Sequence, residues 1–193
     1  MLVLVIGDFH IPSRCHSIHP TFRNLFETDR INHILCTGNM TSPSVENYLK
    51  KVCPDVLIVR GDLDENSNNP ETRVLSVGKF MVGLTHGHQI IPYNDKESLA
   101  ILQRHLDVDI LIYGHTHELA TYEYDGKFFI NPGSPTGAYS SFCPKPTPSF
   151  VLLDIQDNTM ILYIYRLHGN EHKVEKIEYH KPEVNASTIA CNE

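Results

Sequence analysis

The opening third of the chain carries three short apolar runs: Leu2-Val3-Leu4-Val5-Ile6, His33-Ile34-Leu35-Cys36 and Val56-Leu57-Ile58-Val59. Unbroken apolar runs of this length suit strands covered on both faces. The stretches between them read as helices. A short one is predicted over Thr21 to Glu27. A second opens at Ser42-Pro43 and continues through Lys51, with proline in its first turn where no backbone N–H is needed. The resulting βαβαβ order predicts a parallel sheet.

Downstream the pattern shifts toward sheet. Arg73 to Val77 and Lys79 to Leu84 read as a hairpin around Gly78, and Asp95 caps a helix in which Leu99, Leu102 and Leu106 recur at helical spacing. A buried strand is predicted over Asp109 to Tyr113. Thr121 to Tyr124 and Lys127 to Ile130 flank Asp125-Gly126, a strong hairpin turn. Three further strands are predicted near Ser149 to Ile155, Thr159 to Arg166 and Lys173 to Tyr179. This exceeds what one layer holds. The expected class is α/β: two packed mixed sheets flanked by helices, in one domain over residues 1–182, followed by a polar, frayed tail over 183–193.

Composition removes several functions. Lys plus Arg number 16 against 23 Asp plus Glu, a net charge of −7, which argues against nucleic-acid binding. No apolar run approaches the roughly 18 residues of a membrane-spanning helix. The first run meets Gly7-Asp8 almost at once and lacks a basic flank, so no signal peptide is expected. Five scattered cysteines fit reduced thiols in the cytoplasm rather than a disulfide framework. The unusual number is histidine, at 12, which points toward metal chemistry.

The residues just past each predicted strand strengthen that hint. The strand ends read Gly7-Asp8-Phe9-His10, Gly38-Asn39, Gly61-Asp62-Leu63-Asp64, His86-Gly87-His88, Gly114-His115-Thr116-His117 and Asn131-Pro132-Gly133-Ser134. Ligand sites of α/β sheets collect at the carboxyl ends of strands. Asp8 and His10 are two apart, so both side chains point the same way if the strand continues; His115 and His117 share that spacing. Carboxylate, amide and imidazole donors together suit Zn²⁺, Mn²⁺ or Fe.

The order D-x-H, G-[DN], G-[DN]-x-[DE], G-H and G-H-x-H resembles the calcineurin-like metallophosphoesterases. The resemblance implies an α-β-β-α sandwich and two divalent metals, Zn or Mn, sharing one bridging ligand. One metal would take Asp8, His10, Asn39 and His117; the other Asn39, Asp62, His86 and His115. The active-enzyme pattern is broken in places. Asn39 stands at the bridge instead of Asp. Leu63 stands where the family has the His that protonates the leaving group, a contribution of roughly 10²–10⁴-fold in general acid–base catalysis. Ser42 replaces a usual acid. No catalytic residue is therefore assigned.

The stretches Met1 to Val5, His33 to Asn39, Ile58 to Asp62, His86 to Gln89, Asp107 to Ile112, Asn131 to Ser134 and Pro148 to Leu152 resemble one branch of the family, the phosphoesterase-fold subunits of the retromer coat, which also has Asn at the bridge, Asp at 62 and an apolar residue at 63. That similarity implies a scaffold in endosomal cargo sorting, cytoplasmic and peripheral on endosomes through its complex, with weak or partial metal occupancy. Two surfaces bear on it. Gln89-Ile90-Ile91-Pro92-Tyr93 is apolar beside a site where a phosphate pocket would be polar, and reads as an interface anchor or a loop folded on itself. The resemblance implies that Ile90, Ile91 and Tyr93 face the large α-solenoid subunit, vacuolar protein sorting-associated protein 35. Strand parity separates Val151, Leu153 and Ile155 from Phe150, Leu152 and Asp154. Leu152, Tyr163 and Tyr165 then form an exposed patch or a face covered by helices. The resemblance favours a patch for regulatory proteins and adds Leu2 and Val174. The competing function is a slow metal-dependent phosphoesterase.

Overall fold

The computed structural model describes residues 1–64 and 68–182; the tail predicted over 183–193 lies outside the described residues. The elements run β1 (Leu2–Ile6), α1 (Pro20–Phe26), β2 (Ile31–Cys36), α2 (Pro43–Val52), β3 (Val56–Ile58), β4 (Thr72–Val77), β5 (Phe80–Thr85), α3 (Lys96–Leu106), β6 (Ile110–Ile112), β7 (Ala120–Tyr124), β8 (Lys127–Asn131), β9 (Ser149–Gln156), β10 (Thr159–His168) and β11 (Glu171–His180). They build two mixed sheets, ordered β11-β10-β9-β1-β2-β3 and β4-β5-β6-β8-β7. β1, β2 and β3 are parallel, as the βαβαβ reading requires, and so are β5, β6 and β8.

Side-chain alternation along β1 shows how the layers are held. Val3 and Val5 face the second sheet, where they meet Val82, Leu84, Ile110, Ile112 and Ile130. Leu4 and Ile6 face outward, onto Phe22 and Phe26 of α1 and Val45 and Leu49 of α2. β9 obeys the same rule: Val151, Leu153 and Ile155 lie between the sheets, and Phe150 and Leu152 lie on the outer face. α3 covers the other sheet through Leu99 and Ala100, packed with Leu111, Tyr113 and Phe129. A strand held between two covering layers must be apolar on both faces, which is why the first run has no polar position.

Local signals set the helix ends. Ser42 Oγ accepts from the Ser44 N–H at 3.2 Å, and Asp95 Oδ2 accepts from the Ser98 N–H at 2.8 Å. The predicted boundaries shift where backbone pairing decides them. β10 and β11 pair from Thr159↔His180 to His168↔Glu171, two residues beyond the expected stretch at the turn end. Charged residues there disguise a ladder that needs only backbone groups. Conversely Val59 and Tyr113 are fully or nearly fully buried but leave the strands to enter the loops that carry the site.

Candidate metal centre

The loops after β1, β2, β3, β5 and β6 meet at one edge of the sandwich. They bring the predicted ligands into two groups: Asp8, His10 and His117, and Asp62, His86 and His115, with the ligand atoms of each group within 4.8 Å of one another. Asn39 joins them, its Nδ2 lying 3.4 Å from Asp8 Oδ1, 2.8 Å from Asp62 Oδ1 and 3.1 Å from His86 Nε2. Asp8, His10, Asn39, His86 and His117 are buried; His115 is half-buried and Asp62 faces the opening.

Convergence does not come from strands that continue, as the two-residue spacing suggests. β1 ends at Ile6, and Asp8, His10, Asn39, His115 and His117 all adopt positive φ, between 49° and 72°. Non-glycine residues in this region cost energy and persist where surrounding structure holds them. Here the loops are held by specific bonds. Asp64 accepts from the backbone N–H groups of Asn39 at 2.7 Å, Gly61 at 3.0 Å and Thr41 at 3.1 Å. The His115 N–H donates to Asp8 Oδ2 at 2.9 Å, and Ser134 Oγ donates to the Asp8 carbonyl at 2.8 Å. Close approach also demands glycine: a Cβ at Gly114 would stand 2.7 Å from both Asp8 Oδ2 and Thr37 Oγ1.

The imidazoles are oriented by carbonyls. Thr37 O accepts from His86 Nδ1 at 2.7 Å and Ala138 O from His117 Nδ1 at 2.6 Å, so Nε2 of each ring points inward. Among the described residues His10 Nδ1 is buried without a partner, and its Nε2 lies 3.0 Å from His117 Nε2. These features fit a divalent cation: a mixed nitrogen and oxygen donor set, ring orientation by backbone carbonyls and ring nitrogens that converge from both groups. Asp8, His10 and His117, or Asp62, His86 and His115, would hold it.

Electrostatics point the same way. Burial works to raise the Asp8 pKa, but the nearby charge of His86 and contacts with His10 and His117 outweigh it and hold the carboxyl well below the usual range. Asp62 is likewise opposed by burial and held low by His115, His86 and Asn39. Burial lowers the His10 pKa; at His86 burial is overcome by Asp8 and Asp62, and the pKa rises. An aspartate whose folded pKa lies below its unfolded value of about 3.9 stabilises the fold above that value and loses the contribution as pH falls below it. The melting temperature of chelator-treated protein is therefore expected to fall more steeply between about pH 6 and about pH 3, a range that brackets the Asp reference pKa, than that of Asp8→Asn. Parallel slopes would contradict this assignment.

Residue types name the ligands but not what orients them. Thr37 and Ala138 act through carbonyls, which no residue type signals. Asp64 is plain in Gly61-Asp62-Leu63-Asp64, yet its task of tying three backbone N–H groups together is visible only in the folded loops. The rim adds another residue. Tyr93 packs against His115 with ring centroids 4.8 Å apart, and Phe142 packs against Tyr93 at 4.7 Å. Phe142, unassigned from sequence, is 46% exposed.

The predicted contact residues separate. Ile91 is 72% exposed and Tyr93 37%, whereas Ile90 turns in against the cluster under α3. On the far outer face, Leu152 is only 8% exposed, which corrects the expectation of an exposed leucine: it lies within the cluster that α1 seals with Phe22 and Phe26. Leu2, Tyr163 and Tyr165 are half-buried beside it, with Tyr165 stacked on Phe150 at 4.6 Å, and Val174 is 47% exposed. No helix among the described residues is long and apolar enough to cross a membrane.

Comparison with known proteins places this geometry. Residues 1–158 match the calcineurin-like phosphoesterase superfamily domain. The chain is 48% identical to vacuolar protein sorting-associated protein 29 of Schizosaccharomyces pombe over 187 residues, covering 95% of this chain and all of that protein. A crystal structure of a single mutant of Vps29 from Entamoeba histolytica superposes with a TM-score of 0.90 at 48% identity, covering 93% of this chain and 100% of the other. Wild-type Vps29 of the same organism, complexed with Zn²⁺, gives a TM-score of 0.88 at 49% identity, covering 92% and 99%. With near-complete mutual coverage and a shared sandwich, the chain belongs to the Vps29 family of calcineurin-like phosphoesterase-fold proteins.

Proposed function

We propose that this chain is a non-catalytic scaffold subunit of retromer, acting in vacuolar protein sorting and endosomal cargo transport. The observation that carries the reading is the rim of the metal centre. Leu63 at 43%, Ile91 at 72%, Tyr93 at 37% and Phe142 at 46% are all exposed there. A phosphate-handling pocket needs cations and proton donors at its mouth; an apolar rim favours a protein partner. We assign that partner as the large α-solenoid subunit, vacuolar protein sorting-associated protein 35. Regulators would use the outer face around Leu2, Tyr163, Tyr165 and Val174, with Leu152 contributing only if the surface opens. Localisation to endosomes would follow from the complex.

The chemistry supports the same reading. Leu63 supplies no proton where the superfamily uses histidine, and its backbone N–H donates to Asn39 Oδ1 at 3.0 Å. Bound Zn²⁺ or Mn²⁺ would supply Lewis acidity, held by Asp8, His10 and His117 or by Asp62, His86 and His115. The two intact ligand groups favour one alternative, a slow metal-dependent phosphoesterase.

A paired assay separates them. Purified α-solenoid subunit is captured on wild type, Asp8→Asn and His117→Ala, and each protein is assayed with Mn²⁺ on a chromogenic phosphodiester. The scaffold reading expects affinities within about threefold of one another, since the substituted groups lie beneath the surface, and no turnover above a metal blank. Turnover that disappears in His117→Ala would replace the scaffold reading with the enzymatic one.

A further inference from the structure

Asn39 does not treat the two ligand groups alike. The Leu63 N–H identifies its Oδ1, so the atom facing the ligands is Nδ2, a donor rather than the oxygen a bridging ligand would offer. A Cβ at position 61 would stand 2.2 Å from that Oδ1, so the amide oxygen is seated in a slot that Gly61 keeps open. Nδ2 donates to Asp62 Oδ1 at 2.8 Å, a short bond, and reaches Asp8 Oδ1 only at 3.4 Å. Asp62 Oδ1 also lies 2.9 Å from His86 Nε2. The Asp62, His86 and His115 group thus has an internal donor at the place where a cation would sit against its carboxylate.

The other group has no such substitute. Asp8 Oδ1 lies 3.5 Å from His117 Nε2 and 3.8 Å from His10 Nε2, beyond good hydrogen bonds. The two Nε2 atoms face each other at 3.0 Å, and His10 Nδ1 has no partner among the described residues. A His10 tautomer with Nε2–H bonds His117 but strands the Nδ1 lone pair; the opposite tautomer strands an N–H and opposes two lone pairs. A cation at this point takes a lone pair from each inward nitrogen and from the Asp8 carboxylate, and so removes the opposition of the two Nε2 atoms.

We infer that Asn39 sets an order of metal loading: a divalent cation enters the Asp8, His10 and His117 group first, and the Asp62, His86 and His115 group loads weakly because the Asn39 amide already occupies it. Filling the second group requires the amide to leave Asp62 and turn, breaking the bond from Leu63. Asn39 is a positioning residue in this scheme, and the inference rests on the metal assignment above while being independent of the partner reading.

Isothermal titration of the whole, chelator-stripped chain with Zn²⁺ alone tests it, with folding of each variant checked by circular dichroism. Wild type is expected to show one tight step and a second at least about tenfold weaker, a difference the loss of one charge-assisted hydrogen bond supports. His10→Ala removes the tight step and His86→Ala retains it. Asn39→Asp, which restores two acceptor oxygens, brings the two steps within about threefold by the same reasoning. Two equal steps in wild type, or a tight step lost in His86→Ala and kept in His10→Ala, overturn the order alone. Absence of any Zn²⁺ binding overturns both the order and the metal assignment beneath it.

Discussion

Ile91→Asp is expected to weaken capture of the proposed α-solenoid partner severely while leaving the fold intact. Ile91 is 72% exposed in the free chain, so aspartate there is solvated and the melting temperature should not move. In the complex the same position would be covered. Burying an isoleucine side chain stabilises by about 1.5–3 kcal/mol, and replacing it with an unpaired buried charge adds a desolvation cost. Together these exceed about 2 kcal/mol, so affinity should fall by at least about 30-fold. Ile101→Asp is the matched control. Ile101 is 61% exposed on α3, outside the loops that form the rim, and its substitution should change neither melting nor capture. Full retention of binding by Ile91→Asp would remove the loop from the interface.

The second large effect is on stability. Gly38 has φ +98°, and a Cβ there would stand 2.5 Å from Gly61 N, 2.8 Å from Val59 O and 3.0 Å from Gly61 Cα. All three are backbone atoms, so no side chain can swing aside. Gly38→Ala combines backbone strain with the forced separation of the loops after β2 and β3, the loops that carry Asn39 and Asp62. A cost of about 3–5 kcal/mol is expected, which for a chain of this size lowers the melting temperature by about 6–20 °C. Gly126→Ala isolates the strain component: Gly126 has φ +67° with nothing within 4 Å of the added Cβ. Its cost should be only about 1–2 kcal/mol. Equal losses in the two variants would show that the close approach of the loops contributes nothing.

Legibility followed the range of the interaction. β1, α2, α3 and the hairpin at Asp125-Gly126 were readable because apolar run length, Ser42 and Asp95 caps and turn chemistry are local signals. Where β10 and β11 extend past their apolar portion, the ladder is made of backbone groups that every residue carries, and composition is silent. The candidate metal ligands are legible as residue types at strand ends. Their geometry was not, because it depends on positive φ at Asp8, His10, Asn39, His115 and His117 rather than on strand continuation.

Surfaces show the division most clearly. Parity separated Leu152 from Val151 and Leu153, and the structure keeps that separation. Parity says which way a side chain points; it does not say what covers it. Phe22 and Phe26 arrive from α1, far away in sequence, and pack edge-on against Phe150 in the cluster that also holds Leu152. Ile90 and Ile91 are chemically identical neighbours, yet one packs beneath α3 and the other meets solvent.

Residue identity and short-range periodicity suffice for the α/β sandwich, the parallel core strands, the candidate ligands and the two positions, Asn39 and Leu63, read as departures from the active-enzyme pattern. The folded chain adds which carbonyls orient His86 and His117, that the Asn39 amine faces Asp62, and that Phe142 joins Tyr93 at the rim. Each of those depends on atoms brought together from distant segments, and a hydrogen bond or a ring contact is settled over a few ångströms that no spacing along the chain encodes.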